Sequence, residues 1–300
     1  MSYQETPEPL CKPVSGSIEL CVEPKEKSLG EFTVRRVLPS IDRRRVGPFV
    51  FFDHMGPAEF PPGKGINVRP HPHIGLSTVT YLFDGEIMHR DSLGYAQAIH
   101  EGAVNLMTAG KGIVHSERAG DDLHEVSTLH GIQTWMALPT DKAEMDPAFE
   151  HFPADVLPDF DIDGAHIRII MGTAYGHTSP VTTHSPTLYL ACEMPAGIAL
   201  TLPDHYDEIA VYAVSGKVRI DDETYSGGVL AVASPGAKVT VSAEEQCLFM
   251  VIGGDSIGER KVWWNFVASS AERMEQAKRD WKEGRFGTVP GDDEFIPLPE

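Results

Sequence analysis

Between Arg69 and Glu117 the chain carries two pairs of metal-ligand residue types at i, i+2: His71 and His73 in Arg69-Pro-His-Pro-His-Ile-Gly75, and His115 and Glu117 in Gly110-Lys-Gly-Ile-Val-His-Ser-Glu117. In an extended strand the side chains at i and i+2 share a face, so each pair aims two donors into one space. If the two strands meet inside a barrel, four ligands converge. Three neutral imidazoles and a carboxylate suit one borderline divalent metal, Fe(II) or alternatively Cu, Mn, Ni, Co or Zn. With iron or manganese, two octahedral positions stay open, which is the arrangement of a catalytic site. The alternative is a turn and a strand end that never meet. Two such pairs joined by strands and glycine turns favour the site.

The sequence around these pairs is strand and turn throughout. Apolar runs at Leu76 to Phe83, Glu86 to Asp91, Ala103 to Thr108, Ile113 to Glu117 and Leu129 to Leu138 are punctuated at Asp84-Gly85, Glu101-Gly102 and Gly110-Lys-Gly112. Many short strands with glycine turns and no long helix predict an all-β chain built as antiparallel jelly-roll barrels. Earlier, Glu31 to Leu38 and Val50 to His54 read as strands, residues 1–20 as a loose or strand-like arm, and Pro57 to Pro70 as an irregular connection. Residues 141–164 read as an acidic linker, so the expected division is 1–140, 141–164 and 165–300.

The second half repeats the first. Tyr81-Leu-Phe-Asp-Gly85 and Gly102 to Gly110 have the same form as Tyr212-Ala-Val-Ser-Gly216 and Gly228 to Gly236. One barrel unit has been duplicated. Counting thirteen and fifteen residues on from Gly102 reaches His115 and Glu117, and the same count from Gly228 reaches Val241 and Ala243. The second barrel therefore lacks that ligand pair, and His205 and Asp207, near the expected place of its first pair, are left without partners. One short helix is expected at Ala271 to Glu283, with Ser269 as its cap, Glu272 three residues on and Gly284 as its stop.

A net charge of −19 over 300 residues opposes direct contact with nucleic acid and with anionic membranes. Arg43-Arg-Arg45 is then expected to pair with nearby carboxylates rather than to form an anion patch. Four scattered cysteines without a C-x-x-C point to free thiols in a reducing compartment. The N-terminus shows no secretory pattern and no run is apolar enough to span a bilayer, so a cytoplasmic location is expected.

His71-Pro-His73-x-Gly75, the following Thr78-Val-Thr-Tyr-Leu82, and Met107-Thr-Ala-Gly110-x-Gly112-Ile-x-His115-Ser-Glu117 resemble the signature of the pirin family, within the cupin superfamily. Arg45-Val-Gly-Pro-Phe49, Asp53-His-x-Gly-Pro57 and Trp264-Asn-Phe-Val267 extend the resemblance over nearly the whole chain. It implies a bicupin: two cupin barrels in tandem, the N-terminal one holding one metal through His71, His73, His115 and Glu117, the C-terminal one without metal.

Members of that family include quercetin dioxygenase-like enzymes, nuclear co-regulators and proteins that bind metabolic enzymes. The expected function is a metal-dependent dioxygenase that opens the central ring of a flavonol such as quercetin with O2. Glu117 would be both ligand and the base that takes the 3-hydroxyl proton. The alternatives are a non-catalytic iron redox sensor acting through a protein partner, and an isomerase or hydrolase using the metal as a Lewis acid. Phe51, Leu106, Met107 and Trp135 are candidates to cover an aromatic substrate, with plain core packing as their other role. His89 and His130 are candidates to reach the metal cavity, and Asp53 and His54 to orient a ligand from behind.

Overall fold

The computed structural model describes residues 16–28, 32–120 and 123–299. Each half of the chain is a seven-stranded sheet facing a four-stranded one, all neighbouring strands antiparallel. In the first half the large sheet runs in the order Ala148–Phe152, Val104–Thr108, Leu76–Gly85, Ser127–Ala137, Phe49–Phe60, Thr33–Leu38, Lys25–Ser28. The small one runs Asn67–His73, Ile113–Arg118, Ile87–Asp91, Ala96–Ile99. The second half repeats this: Ile18–Val22, Leu230–Ala233, Glu208–Ser215, Cys247–Gly254, Thr187–Met194, Ala165–Met171, Asp159–Ile162, facing Ala199–Thr201, Thr240–Ala243, Val218–Ile220, Glu223–Tyr225. The fold is the expected tandem of cupin modules with one C-terminal helix.

The duplication holds residue by residue in the small sheets. His115 pairs with Asp91 and Glu117 with His89; in the second copy Val241 pairs with Ile220 and Ala243 with Val218. Where His115 faces His71, Val241 faces Leu200. The residue in the place of the first histidine is therefore Leu200, not His205. His205 stacks on Tyr206, and Asp207 accepts from the Ser256 amide. The interior of the second module is closed by aliphatic packing that includes Leu200, Val218 and Val241.

Strand alternation makes the large sheets apolar on both faces. Phe49, Phe52, Val79, Tyr81, Leu106 and Ile132 point away from their own module and meet Tyr189, Tyr212, Met250 and Ile252 of the other. Phe49 packs edge-on to Tyr189 at 5.6 Å and Phe52 lies 4.6 Å from Tyr212. Burial of two such faces, at about 25 cal/mol per Å2 of apolar surface, binds the modules back to back. Leu106, expected in the cavity, belongs to this seam because it neighbours the inward-pointing Met107 on one strand.

Segments that read as connections are woven into the sheets. Ile18–Val22, at the start of the chain, is the edge strand of the second module, and Ala148–Phe152 is the matching edge of the first. Asp159–Ile162 pairs with Ala165–Met171, so residues 141–164 contribute a strand to each module. Phe49–Phe60 and Asn67–His73 also claim much of the stretch expected to be irregular.

The helix is Ala271–Lys282, one residue out of the expected frame. Ser270, not Ser269, is extended and accepts from the Arg273 amide at 3.2 Å, which is the capping bond. Met274 and Ala277 pack on Ile74 and Phe266 beside the first module. No helix among the described residues is long and apolar enough to cross a membrane. Cys21, Cys192 and Cys247 form no disulfide, and Cys11 lies outside the described residues.

Because Phe52 is fully buried between the two large sheets, Phe52→Ala should cost about 3–5 kcal/mol in urea denaturation. A loss below about 1 kcal/mol would mean that the seam collapses around the missing ring and does not hold the modules as described.

Candidate metal centre

The interior of the first module has a floor and a roof, both readable from strand register. Residues directly across an antiparallel ladder share a face. On the floor, one row runs Asn105, Thr80, Gln133, Asp53 and the next runs Met107, Thr78, Trp135, Phe51. On the roof, His115 lies across from His71 on one side and Asp91 on the other, and Glu117 lies across from His89. The interior is thus polar at one level and aromatic at the next.

Ring nitrogens of His71, His73 and His115 come within 4.8 Å of one another, all three side chains buried. Backbone carbonyls fix the first two rings: His71 Nδ1 donates to Arg69 O at 2.8 Å and His73 Nδ1 to Asn265 O at 3.1 Å. A proton on Nδ1 leaves the Nε2 lone pair of each available to a metal. Gly75 sets the turn that follows, with φ +67° and a Cβ position only 2.1 Å from Val267 O, so no other residue fits. Asn265 and Val267 belong to the Trp264-Asn-Phe-Val267 motif, which returns from the second module to brace this roof.

His115 is held differently. Its Nδ1 lies 3.4 Å from His89 Nδ1, and His89 Nε2 lies 3.0 Å from Asp91 Oδ2. Asp91 Oδ1 accepts from the amides of Leu93 and Tyr95, so the carboxylate is fixed, and its other oxygen takes the His89 proton. His89 then presents a bare Nδ1 to the Nδ1–H of His115, and the His115 Nε2 lone pair faces the interior. That Nε2 is buried and without a hydrogen-bond partner, as expected of a metal ligand. Phe149 stacks on His89 at 4.3 Å and keeps the ring in plane.

Burial lowers the proton affinity of all three imidazoles. His71 is pushed down to about 4, and His73 and His115, buried and repelled by neighbouring rings, lie well below the ordinary value. All three are neutral ligands at pH 7. Glu117 shares their face, outside the group of three, and Gln133 Nε2 donates to its Oε1 at 2.5 Å. Burial raises Glu117 to about 7, the Gln133 bond opposing the shift. The donor set fits a divalent transition metal.

The other candidates divide by face. His89, Phe51, Met107 and Trp135 point into the module, where Phe51, Met107 and Trp135 pack in one buried apolar cluster, with Phe51 and Trp135 stacked at 3.9 Å and Trp135 5.0 Å from His73. His130 does not. It lies on the opposite face of the sheet, with its Nε2 2.8 Å from His54 Nε2 and with Tyr212 OH 2.8 Å from His54 Nδ1. His130 and His54 are thus part of the seam between modules. Asp53 faces inward but is neutralised by Arg36, whose Nε and Nη2 both donate to it at 2.7 Å. Gln133 and Asp91 were not singled out from sequence. Gln133 was findable by parity, since it lies two positions before Trp135 and so on the same face of the strand.

Adding Ni(II) or Fe(II) at about 100 times Kd should stabilise the protein by about 2.7 kcal/mol, and His73→Ala should abolish the shift. His89→Ala should weaken metal binding by about 10–100-fold by releasing His115, measured by competition with a chelator. In the metal-free protein the three depressed histidines bind fewer protons folded than unfolded. Their contribution to stability therefore falls as pH drops from about 6.5 towards about 4, and Glu117, raised to about 7, opposes it. With three groups against one, the melting temperature should fall on acidification through this window and metal should dissociate with it.

The Pirin family model matches residues 31–136, and the model of the pirin C-terminal cupin domain matches residues 189–287. A pirin-like protein of Caulobacter vibrioides is 48% identical over 94% of this chain and 100% of its own length. A Pseudomonas aeruginosa protein provisionally named quercetin 2,3-dioxygenase is 39% identical over 87% of this chain and 82% of its own. The crystal structure of quercetin 2,3-dioxygenase from Acinetobacter baumannii superposes with a TM-score of 0.88 at 33% identity, covering 95% of each chain. On its two modules, its ligand-bearing strands and these likenesses, the chain belongs to the pirin family.

Proposed function

We propose that this protein is a metal-dependent dioxygenase that opens the ring of a flavonol or a closely related aromatic enol with O2, using His71, His73, His115 and Glu117 as ligands of one divalent metal, Fe(II) first. The observation that carries this reading is the layered interior: imidazoles and a carboxylate on the roof, over one polar and one aromatic row. The quercetin dioxygenase likenesses support the same substrate class. When bound, a redox-active divalent metal would supply the electron transfer between an electron-rich enolate and O2.

The protein's own groups divide the remaining work. Glu117, raised towards neutrality by burial, accepts the proton of the reacting hydroxyl. Gln133 holds the carboxylate in place. The stacked pair Phe51 and Trp135, beside His73, covers an aromatic ring and excludes water, and Met107 adjusts to its edge. Asp91 and His89 keep His115 in its ligating tautomer. In this reading the first module, with its edge strand Ala148–Phe152, does the chemistry, and the second, with Ile18–Val22 and Asp159–Ile162, supports it.

Protein loaded with Fe(II), Mn(II), Ni(II), Co(II) or Cu(II) should consume O2 with quercetin. Glu117→Gln should lower kcat by about 10²–10⁴-fold and remove the loss of kcat/KM on the acid side, since the lost group is the base. Metal-loaded protein that takes up no O2 with any flavonol would refute the oxygenase reading while leaving the metal site intact.

A further inference from the structure

The junction between the modules holds a polar cleft of about 700 Å3, apart from the metal centre. In a chain of 44 acidic and 25 basic residues, its lining carries Arg44, Arg45, Arg260 and Lys261 against one carboxylate, Glu259. The arginine run, expected to be neutralised by carboxylates, is so only in part. Arg43 reaches Glu19 at 3.1 Å, and Arg45 donates to both oxygens of Glu208 at 3.1 Å and to Ser256 at 2.7 Å. Among the described residues no carboxylate lies within ion-pair distance of Arg44, Arg260 or Lys261.

Arg260 is the informative one. It is half-buried, and every acceptor it reaches is neutral: Leu138 O at 3.1 and 3.3 Å, Thr140 Oγ1 at 3.3 Å and Glu259 O at 2.9 Å. Its guanidinium is thereby held in the cleft it lines together with Arg45, and burial, then the Arg45 charge, lower its proton affinity. Arg45 is already engaged by Glu208, which leaves Arg260, Arg44 and Lys261 as three cations of one cleft without an ion-pair partner among the described residues, a preorganised receptor for an anion. Val50 and Val262 supply an apolar wall next to them.

We propose that this cleft binds a small organic dianion, a phosphate monoester or a dicarboxylate, with its charged end on Arg260, with Arg44 and Lys261 closing over it and its carbon body against Val50 and Val262. Arg260 and Lys261 follow the Cys247–Gly254 strand of the second module, whereas Arg44 and Val50 belong to the first. The ligand therefore fastens the two modules together. The site uses none of the metal-centre residues and stands or falls independently of the proposed oxygenase reaction.

The test uses the full-length protein with its metal content held constant. Inorganic phosphate and succinate are each compared with sodium chloride at matched ionic strength. At saturating anion, phosphate or succinate should raise the melting temperature by about 2 °C or more. The double variant Arg44→Ser/Lys261→Ser, altered only at exposed side chains, should lose that rise, and Arg260→Gln, whose amide still donates to Leu138 O, should lose it too. A response to phosphate alone assigns a phosphate ester and a response to succinate alone a dicarboxylate. Equal rises with chloride, no rise with either anion, or a rise undiminished in the double variant would overturn the proposal.

Discussion

The pairing of His71 with His115 across one antiparallel ladder is the constraint on which the site depends. It fixes two strands from distant parts of the module at hydrogen-bonding distance and in one register, and the period of two then carries His73 and Glu117 to the same face. A slip of Ile113–Arg118 by one residue would turn His115 and Glu117 outward and bring Val114 and Ser116 in. The register is held by what flanks it: the left-handed Gly75, the Gly75 amide bonded to Gly110 O at 2.8 Å, and the Ile74–Phe266 bridge. Thus the motif glycines, which carry no chemistry, are as necessary to the ligand set as the histidines.

The two modules show what becomes of this frame without its ligands. Leu200, Val218, Val241 and Ala243 occupy the places of His71, His89, His115 and Glu117, and the interior closes as ordinary aliphatic packing. A buried histidine trio is costly unless its lone pairs are used, since burial alone pushes these imidazoles far from their ordinary proton affinity. The copy free of that demand is aliphatic at these places; the copy that keeps it sets imidazoles over a polar and an aromatic row.

Most of this was legible in the sequence because strand arithmetic is local. The ligand pairs, the duplication and the loss at Val241 and Ala243 all follow from counting. Parity was also available for what went astray. Trp135 and His130 are five apart on one strand and Leu106 adjoins Met107, so neither pair can share a face, and His130 and Leu106 fall to the seam. What counting cannot reach is the pairing of distant segments. Nothing local to Ile18–Val22 says that it edges the second module, nor that the connector residues 148–152 edge the first. The equivalent of His71 is likewise set by pairing, which puts Leu200 and not the neighbourhood of His205 across from Val241.

The carbonyl that orients His73 belongs to Asn265, 192 residues later in the chain. During synthesis the first module therefore emerges with its ligand strands complete but with one imidazole not yet set in its tautomer. An N-terminal fragment ending before Asn265 would carry His71, His73, His115 and Glu117 and still lack the carbonyl that orients His73. The order of events is written into the topology: translation of the second module precedes maturation of the centre in the first.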